Sequence, residues 1–258
     1  MLGMLLGAAL AARSADVDVD EIMRRSFIVG KVVDSRGRVT MTLTNARGTR
    51  RERVTTTISK RQPNGVDQKR LIRFLEPAEV KGTATLLVEH TDGEDDIWIY
   101  LPALRKVRRL VANNKKDSFV GTDFSYGDII GHKVEDWRYE LVESATVDGA
   151  ETWVVDAVPR DAEVREESGY ARRRLWVRKD NHVAVRGRFW DTGGTLLKEL
   201  EASDVRAIDP AEDKWQAFRL QMRNVQTGHV TDFTFADLEV GIGLDDRLFS
   251  ERYLDEES

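Results

Sequence analysis

The sequence predicts a mostly β protein built on one long antiparallel sheet that curls on itself. Short segments that alternate apolar and polar residues recur at a spacing of roughly 10–15 residues, which is typical of antiparallel meanders. Turn signals such as Asp148-Gly149 and Gly193-Gly194 join nearly all of them. Strands do not alternate regularly with helices, which argues against a parallel sheet. A sheet this long curls, so its concave face must close, be filled or bind something apolar.

The first element in chain order is a short helix over residues 18–25, with Asp18 as its N-cap and arginines in its last turn. Residues 134–143 fit a helix or a strand, and the alternation of Trp137, Tyr139 and Leu141 favours a strand. Residues 162–169 are helical or irregular, and residues 248–254 form a short terminal helix. The strand segments are 38–45, 53–59, 69–75, 83–89, 97–101, 106–111, 134–143, 151–158, 170–178, 182–191, 196–205, 216–225 and 229–240.

The composition indicates a single domain with a substantial core and a charged surface. The chain of 258 residues is 41% hydrophobic and 33% charged, and no Pro/Ser-rich linker divides it, so residues 16–258 are assigned to one β domain. A net charge of −5 gives no general attraction to nucleic acid. The absence of cysteine excludes disulfides, thiolate metal sites, a cysteine nucleophile and a lipid-modified N-terminal cysteine.

Residues 1–15 are interpreted as a signal peptide. Residues 2–12 form an apolar run that is too short to span a bilayer, and small residues that suit signal peptidase follow it. No basic residue precedes the run, so we expect that the true start lies upstream or is misassigned. An apolar N-terminal helix of the folded domain is the alternative.

Two motifs in residues 95–128 resemble the LolA-like family, the outer membrane lipoprotein-sorting proteins of Gram-negative bacteria. The first, W-x-Y-L-P-x-L-R-K-V-R-R, begins at Trp98, and the second, F-x-G-x-D-F-x-Y-x-D, runs from Phe119 to Asp128. The segments 70–75 and 215–224 are similar to the family as well. The resemblance implies a half-closed barrel whose concave side holds acyl chains beneath short helices or loops. It also implies a soluble periplasmic protein, a lipoprotein or phospholipid as cargo, and an inner-membrane exporter as partner; we expect a monomer.

Large aromatic side chains in this segment and on neighbouring strands are the candidate lipid-binding residues. Pockets for acyl chains need a broad apolar surface with few polar groups. Ordinary core packing is the alternative for each aromatic residue, and a register error of one residue would exchange the two faces of a strand. The candidates are Trp98, Tyr100, Phe119, Phe124, Tyr126, Trp137, Trp153, Trp176 and Phe189.

A basic cluster follows Pro102, which ends the first strand of this segment because proline cannot donate to a sheet ladder. Arg105, Lys106, Arg108 and Arg109 are predicted to contact anionic headgroups or an acidic partner surface. Exposed charges that protect a sheet edge from pairing are the alternative.

No catalytic residue, metal site or cofactor is predicted. The four histidines lie far apart, and no nucleotide-binding or hydrolase motif is present. Asp123, Asp128 and His132 could serve acid–base or metal chemistry, but turn and capping hydrogen bonds explain these aspartates better. We therefore predict a non-enzymatic carrier, with a structural lid or clasp at residues 123–128. The alternative is a non-catalytic envelope scaffold of the same fold that binds a membrane protein rather than lipid.

Overall fold

The computed structural model describes residues 18–111 and 115–256. The predicted signal peptide at residues 1–15 lies outside these ranges. In the described chain, thirteen strands form one antiparallel sheet, accompanied by three α-helices. The sheet curls without closing, which confirms the predicted mostly β fold.

The strands agree closely with the predicted segments. The segment 134–143 is strand only from Trp137 onward, because Val134–Asp136 form a 3-10 turn. The predicted terminal helix is a pair of 3-10 turns, Asp246–Phe249 and Glu251–Leu254. The helices are α1 (Val19–Ile28), α2 (Tyr126–Ile130) and α3 (Ala162–Ser168), and the strands are β1 (Asp34–Thr44), β2 (Arg50–Arg61), β3 (Gln68–Glu76), β4 (Ala84–Val88), β5 (Asp96–Leu101), β6 (Lys106–Leu110), β7 (Trp137–Val147), β8 (Ala150–Pro159), β9 (Tyr170–Arg178), β10 (Ala184–Asp191), β11 (Leu196–Asp209), β12 (Lys214–Asn224) and β13 (Val230–Val240).

The sheet consists of two meanders that meet in its middle. Strands β1 to β6 run outward to one edge, and strands β7 to β13 return from the other edge until β13 pairs with β1. The chain must therefore pass from the β6 edge to the β7 edge. It does so through residues 115–136, called the crossing segment here, which include α2. The apolar residues of this segment pack into the same core as both halves of the sheet, so the segment lies over the concave face.

The concave core joins residues from both meanders, α1 and the crossing segment. Ile22 and Met23 are the buried residues of α1, whose N-cap is Asp18 as predicted: its carboxylate accepts hydrogen bonds from two backbone N–H groups of the first turn. Sheet residues in this core are Val39, Met41, Ile72, Phe74, Leu87, Ile97, Val155, Ala157, Tyr170, Leu175, Val177, Phe189, Met222 and Phe233.

A smaller convex cluster covers the outer face of strands β2 to β5. Its members are Ile58, Leu71, Ala84, Leu86 and Val88, together with Leu244, Phe249 and Leu254 from the C-terminal turns.

The C-terminal turns are tied to the sheet by polar contacts. Arg73 donates hydrogen bonds to the carbonyls of Tyr253 (2.7 Å) and Leu254 (3.1 Å). The carboxylate of Asp34 accepts from the backbone N–H of Leu244 at 3.1 Å. Both faces of this part of the sheet are therefore covered, one by the crossing segment and α1, the other by the C-terminus. No helix among the described residues is long and apolar enough to cross a bilayer.

Candidate functional site

A cavity of about 410 Å³ remains in the concave face between α1, the crossing segment and the middle of the sheet. This volume lies within the range of about 300–1,000 Å³ that is usual for ligand pockets. The cavity exists because the crossing segment spans the curled sheet without filling it. The sheet curls around this space, so side chains from β1, β3, β12 and β13 line it together.

One part of the cavity wall is apolar. The ring of Phe124, from the crossing segment, stacks on Phe233 of β13, with centroids 4.4 Å apart and planes at 20°. This contact fixes the crossing segment, which forms the cover of the cavity, against the sheet. It also places aromatic surface beside the cavity. The apolar lining includes Phe27, Val39, Met41, Ile72, Phe119, Phe124, Ile129, Ile130, Ala217, Leu220, Phe233 and Phe235.

The other part of the wall is polar and is called the polar end here; it comprises Lys31, Ser35, Ser59, Gln68, Arg70 and Glu89. Lys31 Nζ lies 2.5 Å from Glu89 Oε2, and both side chains are only 6% exposed. Burial is the main influence on each: it lowers the pKa of Lys31 and raises the pKa of Glu89. The attraction between the two groups offsets part of the desolvation of each.

Arg70 connects the polar end to the cover. Its Nη1 donates a hydrogen bond of 2.6 Å to the carbonyl of Ile129 in α2. Arg53 donates similarly to the carbonyl of Val120. Two arginines of the sheet thus satisfy backbone carbonyls of the crossing segment, which otherwise lies across the sheet without pairing as a strand.

A buried polar network around Asp128 holds the cover to the other half of the sheet. The Tyr170 hydroxyl lies 2.9 Å from both carboxylate oxygens, and Lys198 Nζ lies 3.3 Å from Oδ2. His132 Nε2 lies 3.4 Å from Oδ1. Asp128 also closes a capping box with Ser125, the N-cap of α2.

The charges in this network set its protonation. Burial opposes the charge of Asp128, but Lys198 and the hydrogen bonds of the network outweigh it and hold the pKa of that carboxyl well below its usual range. Burial and the nearby Arg173 guanidinium lower the pKa of His132 to about 4, so its imidazole is neutral at pH 7. Burial and the Asp128 carboxylate raise the pKa of Tyr170 well above its ordinary value. The network is therefore an ion pair between Asp128 and Lys198, and the neutral side chains of His132 and Tyr170 lie beside the carboxylate.

Asp123, the other aspartate of the second motif, has a different partner. Its carboxylate accepts a hydrogen bond of 2.7 Å from the Thr231 hydroxyl on β13, and burial raises its pKa. Asp123 and Asp128 therefore fasten the cover to different strands. In the described part of the chain, no three His, Asp or Glu side chains are grouped closely enough to hold a metal ion.

Six of the nine aromatic candidates lie on the concave side. Phe119 and Phe124 line the cavity, whereas Tyr126, Trp137 and Phe189 lie elsewhere in the concave core. Trp153 is half-buried against that core, with its ring 5.5 Å from His182.

The other three aromatic candidates face away from the cavity. Trp98 and Tyr100 pack against the convex cluster, because Ile97 and Ile99 take the inward positions of β5. Trp176 alternates with the inward-facing Leu175 and Val177 on β9 and so lies on the outer face. These three candidates therefore lie outside the cavity; their strands are apolar on both faces, so the sequence did not show which face is concave.

The basic cluster lies at the sheet edge formed by β6. Arg105, Lys106, Arg108 and Arg109 are all exposed, and none of them lines the cavity. Arg109 Nε donates to Asp96 Oδ1 at 2.9 Å, so that residue is neutralised locally. An edge position agrees with protection against strand pairing, the alternative that the sequence left open.

Sequence reasoning missed Arg70, Lys198 and Tyr170 as site residues. Arg70 had a signal, since it precedes Ile72 and Phe74 at a spacing of two and therefore shares their inward face. For Lys198 and Tyr170 the sequence contained no such signal, because their partner Asp128 lies 70 and 42 residues away in the chain.

Comparisons with known proteins agree with the fold and the motifs. A family model described as "Uncharacterized protein" matches residues 66–256. A solved domain from Vibrio parahaemolyticus, provisionally named an outer membrane lipoprotein-sorting protein, is 30% identical with a TM-score of 0.83, covering 92% of this chain and 98% of its own. A DUF1329 family protein from Desulfovibrio piger is 29% identical with a TM-score of 0.83, covering 91% and 97%.

A more distant structure shares the fold alone. The LolA superfamily protein from Nitrosomonas europaea is 20% identical with a TM-score of 0.70, covering 92% of this chain and 99% of its own. No curated protein sequence matches the chain.

Proposed function

Because the chain belongs to the LolA-like family of outer membrane lipoprotein-sorting proteins, we propose that it is a periplasmic carrier of acyl chains, serving lipoprotein sorting or lipid transfer. The covered apolar cavity carries this proposal. It combines a broad hydrophobic lining with a few polar groups, which is the usual form of a small-ligand site. An inner-membrane exporter would load the carrier, which acts as a monomer.

The size of the cavity suits one acyl chain. A methylene group occupies roughly the volume of a water molecule, about 30 Å³, so about 410 Å³ holds about 14 carbons. Burying each methylene stabilises the complex by about 0.8 kcal/mol, or up to about 11 kcal/mol for such a chain, against about 4–15 kcal/mol lost on association. The result is reversible binding, as a carrier requires. Met41 on the cavity wall offers a flexible side chain that adapts to different chains.

Release of cargo requires the cover to move. The crossing segment is held by its buried apolar side chains, by the Phe124–Phe233 stack and by a few defined polar contacts, rather than by strand pairing along its length. Such a cover can detach as a unit while the sheet beneath it remains paired. The wall of the cavity is therefore able to open without unfolding the domain.

Native mass spectrometry tests the proposal. The protein is purified from a Gram-negative periplasm without detergent, and bound lipid is extracted and identified. We expect a stoichiometric acyl lipid on the wild type and its loss in Leu220→Trp, which fills the cavity. Arg219→Trp is the matched control, since Arg219 is the exposed neighbour of Leu220 on β12 and faces away from the cavity.

A clean apo mass, with no uptake of added phospholipid or lipopeptide, would contradict the carrier proposal. It would favour the alternative, a scaffold of the same fold that binds a membrane protein. Lipid retained equally by Leu220→Trp and Arg219→Trp would show that lipid binds elsewhere on the molecule.

A further inference from the structure

We infer that the ligand of this cavity is a single-chain lipid with an anionic head and that Arg70 binds that head. The inference rests on the proposed function, because it concerns the same cavity, and it adds the class of cargo and its orientation. Its basis is the charge balance at the polar end.

Arg70 lies on the inner face of β3 and forms part of the cavity wall. Ile72 and Phe74, two and four residues further along the strand, belong to the concave core, so alternation points Arg70 to the same side. Its cross-strand neighbours are Ser59 on β2 and Leu87 on β4. The guanidinium thus lies where the polar and apolar parts of the cavity meet.

Most of the hydrogen-bonding capacity of Arg70 is open to a ligand. A guanidinium has about five N–H donors. Within residues 18–111 and 115–256, it gives one hydrogen bond, from Nη1 to the Ile129 carbonyl. A carboxylate or a phosphate accepts paired hydrogen bonds from such a planar fork, which matches the geometry of an acidic lipid head.

Glu89 is the carboxylate whose charge acts on Arg70, and it and the other carboxylate of the cavity wall, Asp128, are already paired with lysines. Glu89 lies 2.5 Å from Lys31, and Asp128 lies 3.3 Å from Lys198. Among the described residues, no carboxylate lies within salt-bridge distance of Arg70. The polar end therefore holds two cations, Lys31 and Arg70, against the single carboxylate of Glu89. Such an excess of positive charge is unfavourable in a cavity wall, since burial removes hydration. An anionic head would supply the missing charge, and burial lowers the pKa of Arg70 in agreement with its desolvated position.

The polar end offers further donors to the same head. The hydroxyls of Ser35 and Ser59 lie 2.8 Å apart and line the cavity beside Arg70. Along β1, the wall changes from Ser35 to Val39 and then Met41, a distance of about 20 Å at about 3.4 Å per residue. A lipid with its head at Arg70 would therefore extend its chain toward Met41, Phe233 and Leu220.

The test compares lipids that share one chain and differ in the head. Binding of myristate, myristoyl lysophosphatidate and myristyl alcohol to the full chain is measured by calorimetry at pH 8, where the carboxylate is ionised. We expect both acids to bind about 10–100 times more tightly than the alcohol, the effect of hydrogen bonds to a charged partner. Acetate and inorganic phosphate, which lack a chain, should not bind at millimolar concentration.

Two arginines on the same strand provide the variant and its control. Arg70→Gln should reduce the preference for the acids over the alcohol to less than about threefold. Arg70→Lys keeps the charge and should retain part of the preference. Arg73→Gln should keep all of it, because Arg73 faces the convex cluster and also donates to backbone carbonyls.

The possible negative results distinguish the inference about Arg70 from the proposed carrier function. If the wild type binds the alcohol as tightly as the acids, or if Arg70→Gln keeps the preference, the inference is overturned while the carrier function stands. If no lipid binds, the carrier function falls and the inference with it. A preference for only one of the two acids supports the inference and identifies the head as a carboxylate or a phosphate.

Discussion

Replacing Asp128 by asparagine should destabilise the protein strongly, because this carboxylate is the main polar link between the cover and the sheet. Four donors converge on it: the Ser125 backbone N–H at 2.9 Å, the Tyr170 hydroxyl at 2.9 Å, Lys198 Nζ at 3.3 Å and His132 Nε2 at 3.4 Å. Asparagine has almost the same shape but no charge. It also presents an NH₂ group to neighbours that are themselves donors.

The magnitude follows from the burial of the ion pair. The side chains of Asp128 and Lys198 are 6% and 10% exposed, so the substitution leaves a buried ammonium without its counter-ion. Removing one partner of such a pair costs about 3–5 kcal/mol of the free energy of unfolding. Asp123→Asn, in the same crossing segment, should cost about 1 kcal/mol, because Asp123 is only half-buried and its Thr231 contact needs only an acceptor.

Urea unfolding followed by far-UV circular dichroism measures both losses, with the slope of the transition expected to stay constant. A double variant, Asp128→Asn with Lys198→Met, should recover part of the loss, since it also removes the unpaired charge. Equal losses for Asp128→Asn and Asp123→Asn would refute the assignment of Asp128 as the main link between cover and sheet.

Three further predictions concern single side chains on the two faces of the sheet. The pKa of His132 is lowered to about 4, so the unfolded state binds more protons between about pH 4 and 6.5, and stability should fall by about 3 kcal/mol as the pH drops through this window; His132→Gln should flatten that pH dependence in urea titrations. Phe124→Ala should lower the free energy of unfolding by about 3–5 kcal/mol, since it removes a buried ring stacked on Phe233, and a loss under 1 kcal/mol would contradict that packing. Trp98→Ala should leave lipid uptake unchanged in a fluorescent fatty-acid assay, because the indole packs against the convex cluster.

Local chain signals were sufficient to predict most of the elements. The strand predicted at residues 170–178 has the bounds of β9, and the turn predicted at Asp148-Gly149 connects β7 to β8. Alternation and turn residues act over a few positions, so a single sequence contains this information. The N-terminus of α2 has a local signal as well, because Ser125 and Asp128, three residues apart, form a capping box.

The sequence could not show which side chains face the concave side of the sheet where a strand is apolar on both faces. Residues 97–101 are all large and apolar, and the two covers of β5 come from distant parts of the chain. The crossing segment covers one side, and Leu254 with its neighbours covers the other. The ion pair at the polar end could not be predicted either, because Lys31 and Glu89 lie 58 residues apart and only the fold brings them together.

Photo-crosslinking shows whether an acyl chain occupies the concave cavity. A fatty acid with a diazirine near the end of its chain is bound to the full chain, irradiated and mapped by peptide mass spectrometry. We expect adducts on peptides that contain Met41, Leu220 or Phe233, and their loss in Leu220→Trp but not in Arg219→Trp. Adducts confined to the convex cluster or to the β6 edge, unchanged in Leu220→Trp, would show that the chain binds outside the cavity.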